Sequence, residues 1–298
     1  MTGRERVALL QTMTTQNALT DSSVGTIELG DLEVRRLGYG AMRITGDGVW
    51  GPPPDPEAAR RLLRRLPELG VDLIDTADSY GPAVSEELIA EALHPYDGIT
   101  VATKGGLERT GPGEWPRNGH PEHLRQACEG SLRRLRVDRI DLYQLHAPDR
   151  KVPYEESVGT LKELQDEGKI RNVGVSNVTV EQLEQARGII EVVSVQNRFN
   201  LADRSSEPVL ERCQELGIGF FPWFPLAAGD LAEPGGVAAE TAEAHDASPG
   251  QIAIAWLLRR SPVTIPIPGT SSIEHLEENL AAASIELTDD EVERLNAG

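Results

Sequence analysis

Three apolar, strand-like runs of this chain end on, or just before, side chains that can move protons or hold charge. Asp75 and Tyr80 follow Val71-Asp72-Leu73-Ile74, Lys104 closes Ile99-Thr100-Val101-Ala102-Thr103, and His146 closes Ile140-Asp141-Leu142-Tyr143-Gln144-Leu145. A carboxylate, a phenol, an ammonium and an imidazole brought together could polarise a carbonyl and exchange a proton with it. Taken singly, each has a plainer reading: Asp75 as a helix cap, Tyr80 as loop packing, Lys104 as surface charge, His146 as a satisfied rim histidine. Residues that end neighbouring parallel strands share a rim, and in a (β/α)8 barrel the C-terminal rim carries the active site. In that order, on strand ends two, three and four, the set reads as catalytic.

The rest of the chain supplies the alternation such a barrel needs. Thr26-Ile27-Glu28-Leu29 and Leu32-Glu33-Val34 flank Gly30-Asp31, which predicts a hairpin ahead of the repeat. A first strand is expected over 37–44, and others near 71–75, 99–103, 140–145, 170–175, 192–196, 218–222 and 263–267. Helices are expected near 57–69, 84–93, 121–136, 155–167, 180–188, 204–216, 249–260 and 272–283. Leu62, Leu63, Leu66 and Leu69 share one face of the first, and Leu124, Cys128, Leu132 and Leu135 recur at helical spacing behind Pro121 in another. Eight strands alternating with eight helices predict a closed α/β barrel, a (β/α)8 TIM barrel with an N-terminal β-hairpin, rather than a doubly wound sheet. Residues 23–298 form its single domain, and the Pro/Gly-rich stretch 222–236 is expected to be a rim loop. Residues 1–22 are polar and aperiodic and read as a loose tail, with Met13 as an alternative start.

The 48 acidic against 29 basic residues give a net charge of −19, which disfavours nucleic acid as a partner. No apolar run approaches the roughly 18 residues of a membrane span. Val7-Ala8-Leu9-Leu10 is shorter than the roughly 7 apolar residues of a signal peptide. Cys128 and Cys213 have neither zinc-site nor disulfide-framework spacing, so a reducing cytoplasm is the expected compartment. His94, His120, His123 and His245 lack ligand spacing, and no metal is expected.

Gly46-Asp47-Gly48-Val49-Trp50-Gly51 matches the G-x-G-x-x-G dinucleotide fingerprint but runs into Pro52-Pro53-Pro54 instead of opening a helix. It reads as a rim loop. The ordered segments Asp72-Leu73-Ile74-Asp75-Thr76-Ala77-Asp78-Ser79-Tyr80-Gly81, Thr103-Lys104-Gly105, Asp141 to His146 and Gly174-Val175-Ser176-Asn177 resemble the aldo-keto reductase family. The likeness continues through Val195 to Asn200, Pro225-Leu226 and Ile267-Pro268-Gly269-Thr270 to Glu278-Asn279, covering about residues 25–298.

The resemblance implies an NAD(P)H-dependent reductase of aldehydes or ketones, with Tyr80 as proton donor, Lys104 lowering its pKa, Asp75 orienting Lys104, and His146 bonding the carbonyl oxygen. It implies NADP(H) across the barrel mouth, with NAD(H) as the alternative. Ser176, Asn177 and Gln196 would meet the carboxamide, Trp223 would stack on the nicotinamide, and Pro225, Leu226 and Gly229 would meet the pyrophosphate. Met42 and Asp75 belong to the same cofactor set. Gly269, Thr270, Ser271 and Ser272 open the last long helix, where free N–H groups suit a phosphate, and His275, Glu278 and Asn279 follow it. Many members carry Lys where Gly269 stands and Arg where His275 stands, so a 2′-phosphate would rest on Ser271, Ser272, backbone N–H groups and a protonated His275. Trp50 and Trp115, in rim loops, are the expected substrate contacts, and Trp256 reads as packing. The partner is then a small carbonyl compound and the default state a monomer. A cofactor-binding redox sensor with the same fold is the alternative, and a metal-dependent barrel hydrolase, lacking His-x-His, ranks last.

Overall fold

The structure, a computed structural model, describes Leu19, residues 24–224 and residues 236–297. Strands β1 (Thr26–Leu29) and β2 (Leu32–Arg35) form the antiparallel hairpin expected around Gly30-Asp31. Seven strands then run parallel in chain order: β3 (Tyr39–Gly40), β4 (Leu73–Asp75), β5 (Thr100–Gly105), β6 (Ile140–Leu145), β7 (Ile170–Ser176), β8 (Val192–Arg198) and β9 (Gly219–Trp223). Closure comes from the segment expected as an eighth strand, 263–267. Phe220 N–H donates to Val263 O at 2.8 Å and Ile265 N–H to Phe220 O at 2.8 Å, while Gly38 N–H donates to Pro266 O at 3.0 Å on the other side. This segment is not a regular strand, because Pro266 and Pro268 have no N–H to give to a ladder.

Side chains alternate across each strand, so every second residue faces the barrel interior. Leu73, Ala102, Leu142, Phe221, Ile265 and Ile267 form one buried cluster with Leu29, Leu32 and Val34 of the hairpin, which plugs the N-terminal end. Two residues further along the same strand faces stand Asp75, Lys104 and Gln144. Period two therefore carries the apolar floor directly into the polar rim. Gly30 makes the plug possible: its φ is +66°, and a Cβ there would lie 2.1 Å from Asn172 Oδ1. Arg171 and Asn172 both bond Asp31, and those bonds hold the Asp31 carboxyl below its ordinary pKa.

The barrel is wrapped by α1 (Pro56–Glu68), α2 (Val84–Leu93), α3 (Pro121–Leu135), α4 (Tyr154–Asp166), α5 (Val180–Arg187), α6 (Glu207–Leu216), α7 (Val237–Ala244), α8 (Pro249–Arg260), α9 (Ile273–Ala281) and α10 (Asp289–Ala297). In α1, Leu62, Leu63 and Leu66 are fully buried on one face, as their spacing predicts, and Asp55 caps the start by accepting from Ala58 N–H. Helices α7 and α10 are absent from the sequence reading. α7 is short, and α10 buries only Leu295 among its residues, so neither carries a strong apolar stripe.

Two further expectations change, at the first strand and at Leu19, while the loop reading of the G-x-G-x-x-G stretch holds. The first strand stops at Gly40, and Ala41–Ile44 turns into a 3-10 helix whose carbonyls at Ala41 and Met42 accept from Ser85 and Thr45 hydroxyls. The G-x-G-x-x-G stretch forms a tight 3-10 turn at Asp47–Val49 and opens no helix. Leu19, inside the span read as tail, is 2 % exposed and belongs to the same apolar cluster as Val24 and Leu37. Leu19→Ala should lower the unfolding free energy by about 2 kcal/mol or more, the lower range for a buried leucine truncation. Urea unfolding of the two proteins would measure it. The rest of that tail, and most of the rim loop expected at 222–236, lie outside the described residues.

Candidate active site

The strand ends bring all four reactive side chains of the sequence reading to one rim. Lys104 Nζ, fully buried, donates to Asp75 Oδ2 at 2.7 Å, to Thr76 O at 2.8 Å and to Tyr80 Oη at 3.4 Å. Asp75 is also buried, and its other oxygen accepts from Gln196 Nε2 at 2.8 Å and Gln144 Nε2 at 3.3 Å. Gln144 can approach because β7 offers Gly174 there; a Cβ at Gly174 would lie 3.0 Å from Gln144 Cγ. His146 meets the Tyr80 ring edge-on, with centroids 5.9 Å apart, and its Nδ1 lies 3.4 Å from Ser79 Oγ.

Burial and charge compete in this cluster. Burial works to strip Lys104 of its proton, but Asp75 and then Tyr80 outweigh it, and the net shift is upward. The ammonium therefore stays charged. For Tyr80 burial is the larger influence and raises the phenol pKa, while Lys104 pulls it down by less. This corrects the expectation that Lys104 leaves Tyr80 a stronger acid than an ordinary phenol: in this dry site the cation only limits the rise. His146 is held well below the ordinary imidazole value, first by burial and then by Lys104, so its ring is neutral. The cluster thus offers a protonated phenol, a neutral imidazole and a fixed cation beneath the phenol oxygen.

Above the cluster opens a cavity of about 540 Å³. Asp75, Tyr80 and His146 form part of its wall, together with Ser176, Asn177 and Gln196 at the ends of β7 and β8. Met42, Trp115, Trp223 and Gly269 also face it, as the sequence reading expects, and so do Arg43, Val49, Leu107, Phe224 and Ile267, which that reading lacks. Asn177 has φ +58°, a left-handed value that Asn tolerates. Its Nδ2 donates to His146 O at 2.9 Å and to Ser176 Oγ at 3.0 Å, and its Oδ1 accepts from Trp223 Nε1 at 3.1 Å. One amide thus ties three rim residues together.

Other expected contacts are not on the wall. Trp50 does not line the cavity; it meets the Arg109 guanidinium, whose Cζ lies 5.6 Å from its ring. Thr270, Ser271, Ser272, His275, Glu278 and Asn279 lie behind Gly269, on the approach to α9 and in that helix. Ser272 caps α9 by accepting from His275 N–H at 3.2 Å, and its hydroxyl donates to Glu274 Oε2 at 2.6 Å. Pro225, Leu226 and Gly229 lie outside the described residues. No group of three or more potential metal ligands occurs among the described residues.

The aldo/keto reductase family matches residues 36–297. An uncharacterized oxidoreductase of Schizosaccharomyces pombe is 52% identical over 94% of this chain and 92% of its own length. Pyridoxine 4-dehydrogenase of Escherichia coli is 40% identical, covering 92% of this chain and 98% of the enzyme. An aldo-keto reductase from Klebsiella pneumoniae, crystallised in complex with NADPH, superposes with a TM-score of 0.75 at 29% identity, over 91% of this chain and 94% of that one.

Proposed function

The chain belongs to the aldo/keto reductase family, and from that premise we propose that it is an NADPH-dependent reductase of uncharged aromatic aldehydes. The observation that carries the reading is Lys104 Nζ, shared by Asp75 and the Tyr80 phenol at the floor of a cavity walled by Trp115, Trp223 and Phe224. A nicotinamide cofactor supplies the hydride when bound. Tyr80 holds the proton at Oη and passes it to the carbonyl oxygen, and the phenolate left behind faces Lys104. His146, neutral, donates a hydrogen bond to the same oxygen and shares the developing charge.

The hydrogen bonds left free on the wall fit a carboxamide. Both Nδ2 hydrogens of Asn177 are used, but its Oδ1 and Gln196 Oε1 can still accept, and the Ser176 hydroxyl can still donate. A carboxamide needs two acceptors for its NH2 and one donor for its oxygen. The indole of Trp223, fixed by Asn177, offers a flat face beside them.

The phosphate end fits less simply. Glu274 stands at the start of α9, where the sequence reading seats a 2′-phosphate. Arg43 lines the cavity beside Gly269 and has no ion-pair partner among the described residues. If the 2′-phosphate meets the start of α9, Glu274→Gln should tighten NADPH about two- to five-fold, the size of one exposed charge interaction, and leave NADH unchanged. Tryptophan fluorescence titrations with both cofactors would check it. Equal responses would place the 2′-phosphate elsewhere.

The 40% identity to pyridoxine 4-dehydrogenase directs the substrate test to the 4-aldehyde of pyridoxine, beside benzaldehyde. Steady NADPH consumption with either aldehyde supports the reductase. Tight cofactor binding without turnover on a broad aldehyde panel would sink it.

A further inference from the structure

We propose that Arg109 is a positioning residue that staples three rim loops into the substrate-side wall of the cavity and thereby sets the preference for aromatic aldehydes. The inference rests on the reductase reading above. Arg109 lies in the loop between β5 and α3. Its Nε donates to Glu114 O at 2.8 Å, Nη1 to Val49 O at 2.7 Å and Ser79 O at 2.8 Å, and Nη2 to Gly48 O at 2.9 Å and Gly111 O at 3.3 Å. A guanidinium has five N–H donors, and these five carbonyls take all of them. Among the described residues no carboxylate pairs with it. Its plane covers the Trp115 ring, with Cζ 3.6 Å from the centroid, and Trp50 lies further out.

The carbonyls come from separate parts of the rim. Gly48 and Val49 belong to the turn after β3, Ser79 to the loop after β4 beside Tyr80, and Gly111 and Glu114 to Arg109's own loop. Val49 and Trp115 face the cavity, and Trp115 meets the Tyr80 ring edge-on at 6.3 Å. One side chain therefore fixes the distance between the apolar wall and the proton donor. Because every N–H is spent on a carbonyl, Arg109 presents stacked aromatic surface and no donor to a substrate carboxylate. A flat aldehyde would feel that wall along its ring. A short aliphatic one would reach Tyr80 without touching it. Lysine cannot replace the staple, since three donors on one nitrogen cannot span these loops.

The test compares wild type with Arg109→Lys and Arg109→Met, using benzaldehyde and propanal with NADPH. KM for benzaldehyde should rise about ten-fold or more, within the range one apolar pocket contact commands. For propanal kcat/KM should fall far less, and NADPH affinity should hold. Guanidinium ion added to Arg109→Ala should recover part of the benzaldehyde KM. Equal losses for both aldehydes, or unchanged KM in both variants, would overturn the proposal. Hydrogen exchange gives a readout independent of turnover: in Arg109→Lys, segments 46–51 and 106–118 should exchange faster than wild type, and unchanged exchange there would also overturn it. A wild-type enzyme that reduces neither aldehyde would count against the reductase reading, while the exchange result would still decide the staple.

Discussion

Tyr80→Phe is expected to reduce kcat for aldehyde reduction by at least about a hundred-fold while leaving NADPH affinity and melting temperature close to wild type. The loss follows from removing the hydroxyl that passes its proton to the carbonyl oxygen, a contribution of about 10²–10⁴ for a placed general acid. Stability should survive, because the Tyr80 hydroxyl makes a single long bond, 3.4 Å from Lys104 Nζ, and the ring keeps its edge contacts with Trp115 and His146. Stopped-flow turnover at saturating NADPH, beside a cofactor titration, would separate chemistry from binding. Retention of more than about a tenth of wild-type kcat, too much for the loss of a general acid, would exclude Tyr80 from the proton transfer.

Lys104→Met should damage both activity and stability. It removes the cation facing the phenolate and leaves the Asp75 carboxylate buried with only glutamine donors. Breaking a buried pair from one side costs about 3–5 kcal/mol. The double variant Asp75→Asn, Lys104→Met removes both charges and should recover part of that stability without recovering turnover. Denaturant unfolding of the four proteins in the cycle gives the coupling. Since the folded-state pKa of Lys104 is raised above the ordinary 10.5, the pair's contribution is fully present below that value and fades only as pH climbs beyond it. Lys104→Met should therefore flatten any loss of stability that wild type shows above pH 10.5 and leave the neutral-pH profile unaltered in shape. Single and double variants with equal stability would mean that Asp75 does not need its cation.

What the sequence determined by itself was the order of chemistry along the strands. Asp75, Lys104 and His146 end apolar runs, strand period fixes which face each side chain takes, and a parallel barrel sends all three to one rim together with Tyr80. That pattern is local, so it survives in a one-dimensional reading. The distances between loops are not local, and only the tertiary structure decided them. Arg109 reads in sequence as one more loop cation, yet its donors close on carbonyls 60 and 30 residues away. Trp50 and Trp115 look alike in rim loops, but the fold puts Trp115 on the cavity and leaves Trp50 off it. Burial was equally hidden: Lys104 beside a tyrosine predicts a stronger acid, and only the depth of the site shows that desolvation outweighs the cation. Pro266 and Pro268 were plain in the chain as residues that cannot donate, but that their segment still closes the barrel, by accepting from Gly38 and Gly40, depends on what the fold lays beside it.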